Sequence, residues 1–174
     1  MSEPKPPERA RPRWRRWLLE IVIVIAIVLA IRGWQTRSVA GGPAPSIDAA
    51  DLSGELVRDV APRERPVLVH FLASWCGVCE AEEPNLVALA RDHDVIAIAT
   101  QSGDVDQVRA WIDDETDLGE VRVVADPRGT IAARWGVSAF PTSFYVDRSG
   151  GVRHVEVGYT TELGMRARMW LAGR

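Results

Sequence analysis

Two cysteines, Cys76 and Cys79, are the only thiols in 174 residues, and they sit in the stretch His70 to Pro84, HFLASWCGVCEAEEP. A pair at this spacing can staple the chain, hold a metal or exchange electrons. As a staple it closes a four-residue loop and removes only about 2 kcal/mol of chain entropy. It also ties the chain to its own neighbour and links no distant elements. As a metal clip it lacks company: zinc usually takes four ligands, and the remaining candidates, His70, His93 and His154, are scattered. Two thiolates alone could still hold a soft ion such as Cu(I).

Redox chemistry uses more of the surroundings. Cys76 falls where an apolar strand gives way to a helix, so its sulfur would face unpaired backbone N–H groups and the positive helix end. Both favour thiolate over thiol, and cysteines so placed ionise at roughly pH 3.5–7.5 instead of about 8.5. Cys79, one turn further in, would be the sheltered partner. A Cys-x-x-Cys pair following a strand of βαβ type is a redox signal in its own right. The residues alone leave the copper alternative open.

Positioning such a pair needs a layered fold, and the pattern predicts one. PVLVHFLA (66–73) is a near-continuous apolar run, as expected of a strand covered on both faces. A helix is expected from about Cys76 to Arg91, with Leu86, Leu89 and Ala90 inward. VIAIAT (95–100) and VRVVAD (121–126) read as further strands, and 104–115 as a helix opened by acids. A short helix should end at Gly136. TSFYVD and VRHVEVG should form a hairpin through 148–151, and a last helix should be capped by Thr160 or Thr161. LSGELVRDV (52–60) suggests a small hairpin around Ser53-Gly54. Strands alternating with helices imply an α/β sheet flanked by helices. Most of the seven tryptophans are expected in the core or at a membrane interface; a site role is expected only of Trp75.

Charge divides the chain. Residues 1–40 carry eight Lys/Arg and three Asp/Glu; residues 41–174 carry thirteen and twenty-one, a net of −8. An acidic body argues against nucleic acid as partner. The basic arm precedes Leu18–Ile31, apolar except for Glu20, and Trp14, Trp17 and Trp34 extend that run at headgroup level. A transmembrane helix over 17–34 is expected, with a basic cytoplasmic arm over 1–16, a Gly/Pro-rich linker over 35–46 and a folded domain over 47–174. Ser38-Val39-Ala40 would suit a signal peptidase, but it lies far beyond the apolar run, so an uncleaved anchor is expected. The positive-inside rule keeps the arm in the cytoplasm and places the body outside a bacterial inner membrane, in the periplasm, where disulfides persist.

At the cysteines the sequence resembles the thioredoxin superfamily. Trp75-Cys76-Gly77-Val78-Cys79 matches its W-C-x-x-C motif, Pro84 its helix-kinking proline, and Phe140-Pro141-Thr142 its cis-proline loop. Cys76 through Pro84 also fits the C-x-x-C-x-x-E-x-P pattern of membrane-anchored TlpA-like proteins, most closely the suppressor-of-copper-sensitivity D type. The resemblance implies a thioredoxin-like mixed sheet and a protein disulfide oxidoreductase with no cofactor beyond a redox-active Cys76–Cys79 disulfide. It implies that Cys76 attacks a partner's disulfide and that Cys79 resolves the mixed disulfide. Glu82 would accept the proton of Cys79 or tune its acidity, whereas Glu80 and Glu83 would be solvated. His70 stands where thioredoxins place a buried acid. As neutral imidazole it could accept a proton, and as imidazolium it would stabilise a thiolate. Trp75, Gly77, Val78, Phe140, Pro141 and Thr142 would border the bound peptide, with Phe140 narrowing the groove. The implied partners are protein thiols and disulfides and a membrane electron donor of DsbD type, in copper or oxidative stress. Cytochrome c maturation is the alternative setting. It is disfavoured because Gly136-Val137-Ser138-Ala139-Phe140-Pro141-Thr142 lacks the tyrosine, second glycine and glutamate of that branch.

Overall fold

The computed structural model describes residues 17–18, 20–24, 26–27, 42–60 and 62–174. The described residues of the amino-terminal segment are helical, and their apolar side chains are exposed. Among the described residues no helix is long and apolar enough to cross a membrane. The expected cytoplasmic arm, much of the expected anchor and residues 35–41 of the expected linker lie outside them.

Residues 38–174 form a compact unit of their own. Its strands are β1 (Ala49–Ala50), β2 (Leu56–Val57), β3 (Val67–Leu72), β4 (Asp94–Thr100), β5 (Arg122–Asp126), β6 (Thr142–Val146) and β7 (Val152–Val157). Its helices are α1 (Gly77–Ala90), α2 (Val105–Glu115), α3 (Thr130–Arg134) and α4 (Glu162–Ala172). The main sheet has the order β5-β4-β3-β6-β7. β3, β4 and β5 run parallel, and β6 and β7 antiparallel to their neighbours. This is the expected mixed sheet.

β3 explains the architecture. All six of its residues are buried, because an apolar run without polar alternation must be covered on both faces. Leu68 and Leu72 meet Leu86 and Leu89 of α1 and Met165 and Met169 of α4. Val67, Val69 and Phe71 meet Trp135 and Phe144 on the other face. There Trp135 lies 5.0 Å from Phe144 and 5.6 Å from Phe71, ring to ring. His70 alternates with Val69 and Phe71, so it takes the α1/α4 face. One buried polar side chain in the central strand therefore lies under α1.

The amino-terminal hairpin differs in register from the expectation. β1 pairs with β2 as Ala49↔Val57 and Ala50↔Leu56. Leu52 is not a hairpin strand residue; its N–H donates to Val123 O at 3.0 Å and ties the hairpin to β5. Asp51 accounts for the shift. Its buried carboxylate accepts Ser53 N and Glu55 N, closing the turn from its first residue. Of the two threonines proposed as the last helix's cap, Thr161 serves, accepting Gly164 N at 3.3 Å.

The α2 start is a complete capping box. The Asp104 carboxylate accepts Asp106 N and Gln107 N, and Gln107 Oε1 accepts Asp104 N at 3.0 Å. Gly103 precedes it with φ +98°, and a Cβ there would meet Gln107 Oε1 at 2.6 Å. Asp104→Ala should cost about 1 kcal/mol and lower Tm by a few degrees in a thermal melt. An unchanged melt would show that the cap contributes nothing.

Candidate active site

The chain leaves β3 at Leu72 and enters α1 at Gly77, five residues later, so Cys76 becomes the helix N-cap, with φ −99° and ψ 97°. An N-cap residue normally offers a side-chain acceptor to the first free amides. Here the acceptor is sulfur: Cys79 N–H donates to Cys76 Sγ at 3.2 Å. The Cys79 and Glu80 amides also bond to Cys76 O, at 2.9 and 3.1 Å. Cys76 and Cys79 form a disulfide with Cα atoms 5.2 Å apart. Cys76 is half-buried and Cys79 buried.

Apolar groups surround the half-exposed sulfur. Trp75 is 63% exposed, and its ring lies edge-on to Phe140 at 5.7 Å. Its indole N–H donates to Gln101 O at 3.2 Å, and Ser74 N donates to Ser102 Oγ at 2.9 Å. The loop after β4 thus steadies the motif. Gln101 and Ser102 were not legible as site residues, because nothing in their types or spacing marks them. Gly77 and Val78 are exposed.

The Phe140–Pro141 peptide bond is cis. Phe71 pairs with Thr142, which places Pro141 at the end of β6 beside the chain leading to Cys76. Pro141 O accepts Gly158 N at 2.8 Å. Thr142 is buried and its hydroxyl donates to Ala139 O at 2.7 Å, so it braces the loop. Phe140 is half-buried and Pro141 buried.

A polar cluster lies beneath. Glu82, on α1 one turn beyond Cys79, is 1% exposed. Its Oε1 accepts Thr160 N at 3.0 Å, and its Oε2 is buried with no hydrogen-bond partner among the described residues. Burial pushes its pKa up to about 7, opposed by the Thr160 amide and reinforced by the charge of Glu156. His70 is 1% exposed, and its Nδ1 lies 2.9 Å from Ser143 Oγ. Burial pulls its pKa down to about 4, so it is neutral at neutral pH. The imidazolium alternative therefore falls away. Ser143 was missed as well; only the β3–β6 register, His70↔Ser143, brings it there. Tyr145, two residues along the same face, is buried, and burial raises its pKa above the usual phenol value.

Glu80 is exposed, as expected. Glu83 is not simply solvated: it is half-buried, accepts a short hydrogen bond from Thr116 Oγ1, and is raised in pKa by burial. Its position on α1 turns it toward the segment after α2, a tertiary neighbour that helical spacing does not show.

The AhpC/TSA family matches residues 40–155. The chain belongs to that family. Its relatives include a thiol:disulfide interchange protein DsbE homolog of Paracoccus denitrificans, 31% identical over 157 residues, covering 84% of this chain and 87% of the relative. A DsbE of Xylella fastidiosa is 32% identical, covering 78% and 73%. Among solved structures, a thiol:disulfide interchange protein DsbE from Chlorobium tepidum superposes with a TM-score of 0.65 at 25% identity, covering 78% of this chain and 99% of that one. Like these relatives, the chain is a thioredoxin-like oxidoreductase, and Cys76 and Cys79 are its CxxC pair.

Proposed function

We propose that this oxidoreductase works as a reductant, tethered to a bacterial inner membrane with its folded domain in the periplasm. The observation that carries this reading is the unequal burial of two sulfurs at a helix start crowded with acids. The Cys76 thiolate attacks one sulfur of a partner's disulfide; the S–S bond breaks and the other partner sulfur leaves as thiolate. Cys79 then loses its proton and attacks Cys76 Sγ. The mixed disulfide breaks, the second partner thiolate departs, and Cys76–Cys79 holds the oxidising equivalents. Two electrons have passed to the partner.

The direction follows from charge. A strongly stabilised thiolate favours the reduced form and makes an oxidant. Here one amide reaches Cys76 Sγ, while Glu80, Glu82 and Glu83 occupy the first two turns of α1 and no basic residue does. The charge of Glu80, with Glu82 and Glu83 adding to it where they are ionised, disfavours thiolate and favours the disulfide, so the reduced pair gives its electrons away. Glu82 suits the proton step: a buried carboxyl raised to about 7, with one unpartnered oxygen, takes and releases a proton near neutrality. Neutral His70 is a second acceptor on the same face. Trp75, Gly77, Val78 and Phe140 form the rim for a partner peptide, and Pro141 and Thr142 set the edge behind it.

The amino-terminal arginines and the apolar run after them support the tether, and the need for a persistent disulfide supports the periplasm. An electron donor of DsbD type would recharge the pair, and disulfides formed in copper or oxidative stress are the proposed clients. Equilibration of the protein with glutathione or dithiothreitol buffers should give a potential in the reducing half of the thioredoxin range, about −270 to −200 mV. In cells the pair should be trapped mostly reduced by acid quench and alkylation. A potential near −120 mV, or a fully oxidised pair in vivo, would overturn the direction.

A further inference from the structure

The end of the domain opposite Cys76 carries a built corner that the exchange chemistry does not use. β3 begins there at Val67, which pairs with Asp94 and Val146, so Arg65, the end of α1 and the β6–β7 turn share that end. The described body also starts there: Val152 N donates to Gly42 O at 2.9 Å, and Ala44 N to Gly150 O at 2.7 Å. The end of α4 joins them, since the Arg148 guanidinium donates to Gly173 O at 2.9 Å. Between these parts lies a concavity of about 360 Å³ whose lining includes Arg65, Arg148, Trp170 and Arg174.

Three features distinguish this corner. Its carboxylates are mostly engaged: Asp94 by Arg63, Asp147 by Arg153 and Asp92 by Arg166. Arg65, Arg148 and Arg174 have no carboxylate partner among the described residues. Trp170 is 57% exposed, and the Arg174 guanidinium lies 3.5 Å over its ring. Asp113, Asp114 and Glu115 close α2, and Asp117 follows on the way into β5, at the other edge of the sheet. Five strands place β5 and β7 roughly 19 Å apart, about two Debye lengths at physiological salt. A charged surface meeting the β7 corner therefore feels the arginines first.

We propose that this corner docks on an anionic phospholipid surface, with Trp170 at the headgroup level and Arg65, Arg148 and Arg174 against the phosphates, so that Cys76 points away from the bilayer. The inference rests on the tethered reading above. Gly42 is eight residues on from Trp34, a reach of at most roughly 29 Å, so a tether at that tryptophan holds this corner near the membrane. Arginine and tryptophan are the side chains suited to that depth.

The test uses the 38–174 unit, which has its own two cores. At 50 mM salt it should sediment with vesicles of three parts phosphatidylethanolamine to one part phosphatidylglycerol and stay free of pure phosphatidylcholine. R65Q/R148Q/R174Q should lower partitioning about a hundredfold, near fivefold for each arginine, while insulin reduction remains. If the triple variant does not fold, 500 mM salt must release the wild-type unit. Equal binding to both lipids, binding unchanged in the triple variant, or binding indifferent to salt would overturn the proposal. Carbonate extraction of the full chain tests the tether separately: a tether that fails leaves the vesicle result standing, and the reverse also holds.

Discussion

Replacing Cys79 by serine should convert turnover into a trap. Cys76 keeps its half-exposed place and its N-cap geometry, so it still attacks a partner's disulfide. The resolving sulfur is gone, and the mixed disulfide accumulates. Non-reducing electrophoresis should show discrete adducts that collapse to one band on adding dithiothreitol. Replacing Cys76 should abolish exchange altogether, a loss on the order of a thousandfold or more in insulin reduction, because Cys79 is buried and no partner disulfide reaches it. Unfolding does not explain such losses. Closing a four-residue loop contributes only about 2 kcal/mol; Cys79 is one member of the core beneath α1, and the core on the other face of β3 contains neither cysteine. Adducts formed equally by both single variants would show two equivalent sulfurs and would remove the basis of the proposed mechanism.

The asymmetry of the pair was legible because it is local. A strand-to-helix transition, an N-cap and a residue one turn further in are all properties of consecutive residues, and 66–84 contains them. The cis bond at Phe140–Pro141 was expected from a resemblance, not from geometry. What consecutive residues could not show is what sits across the sheet. Ser143 meets His70 only through strand register, and Thr160 meets Glu82 only because the loop after β7 returns over α1. Glu82 and Glu83 are the same residue type, one position apart in a run of acids. The roughly 100° of helix rotation between them buries the first and leaves the second beside Thr116. Position on the helix made that difference possible, and the partner elements decided it. The hairpin register failed for a related reason: Asp51 organises its turn through its own side chain, ahead of the glycine that marked it.

Glu82→Gln should move two measurements in opposite directions. In the wild type the folded pKa is about 7, against 4.5 ordinarily. Between those values the folded protein holds a proton that the unfolded chain has released, so this group's contribution to stability falls as pH rises from 4.5 through 7. The loss is at most about 3 kcal/mol, and less after solvent screening. His70 has the opposite sign. Its folded pKa, about 4, lies below the ordinary 6.5, so it costs stability as pH falls from 6.5 towards 4. The two slopes oppose each other between 4.5 and 6.5, and in that window the oxidised wild type should change little through these two groups. Glutamine cannot ionise, so the variant should be more stable than the wild type at pH 8 and should show the His70 slope uncompensated at low pH. Urea titrations across pH 4–8 read this. Meanwhile, resolution of a preformed mixed disulfide should slow about a hundredfold at pH 8, the usual worth of a general base. It should lose the rise through pH 7 that marks carboxylate ionisation. A purely structural carboxyl would change the urea titrations and leave the resolution profile alone; that result would remove Glu82 from the proton route and leave His70 as the acceptor.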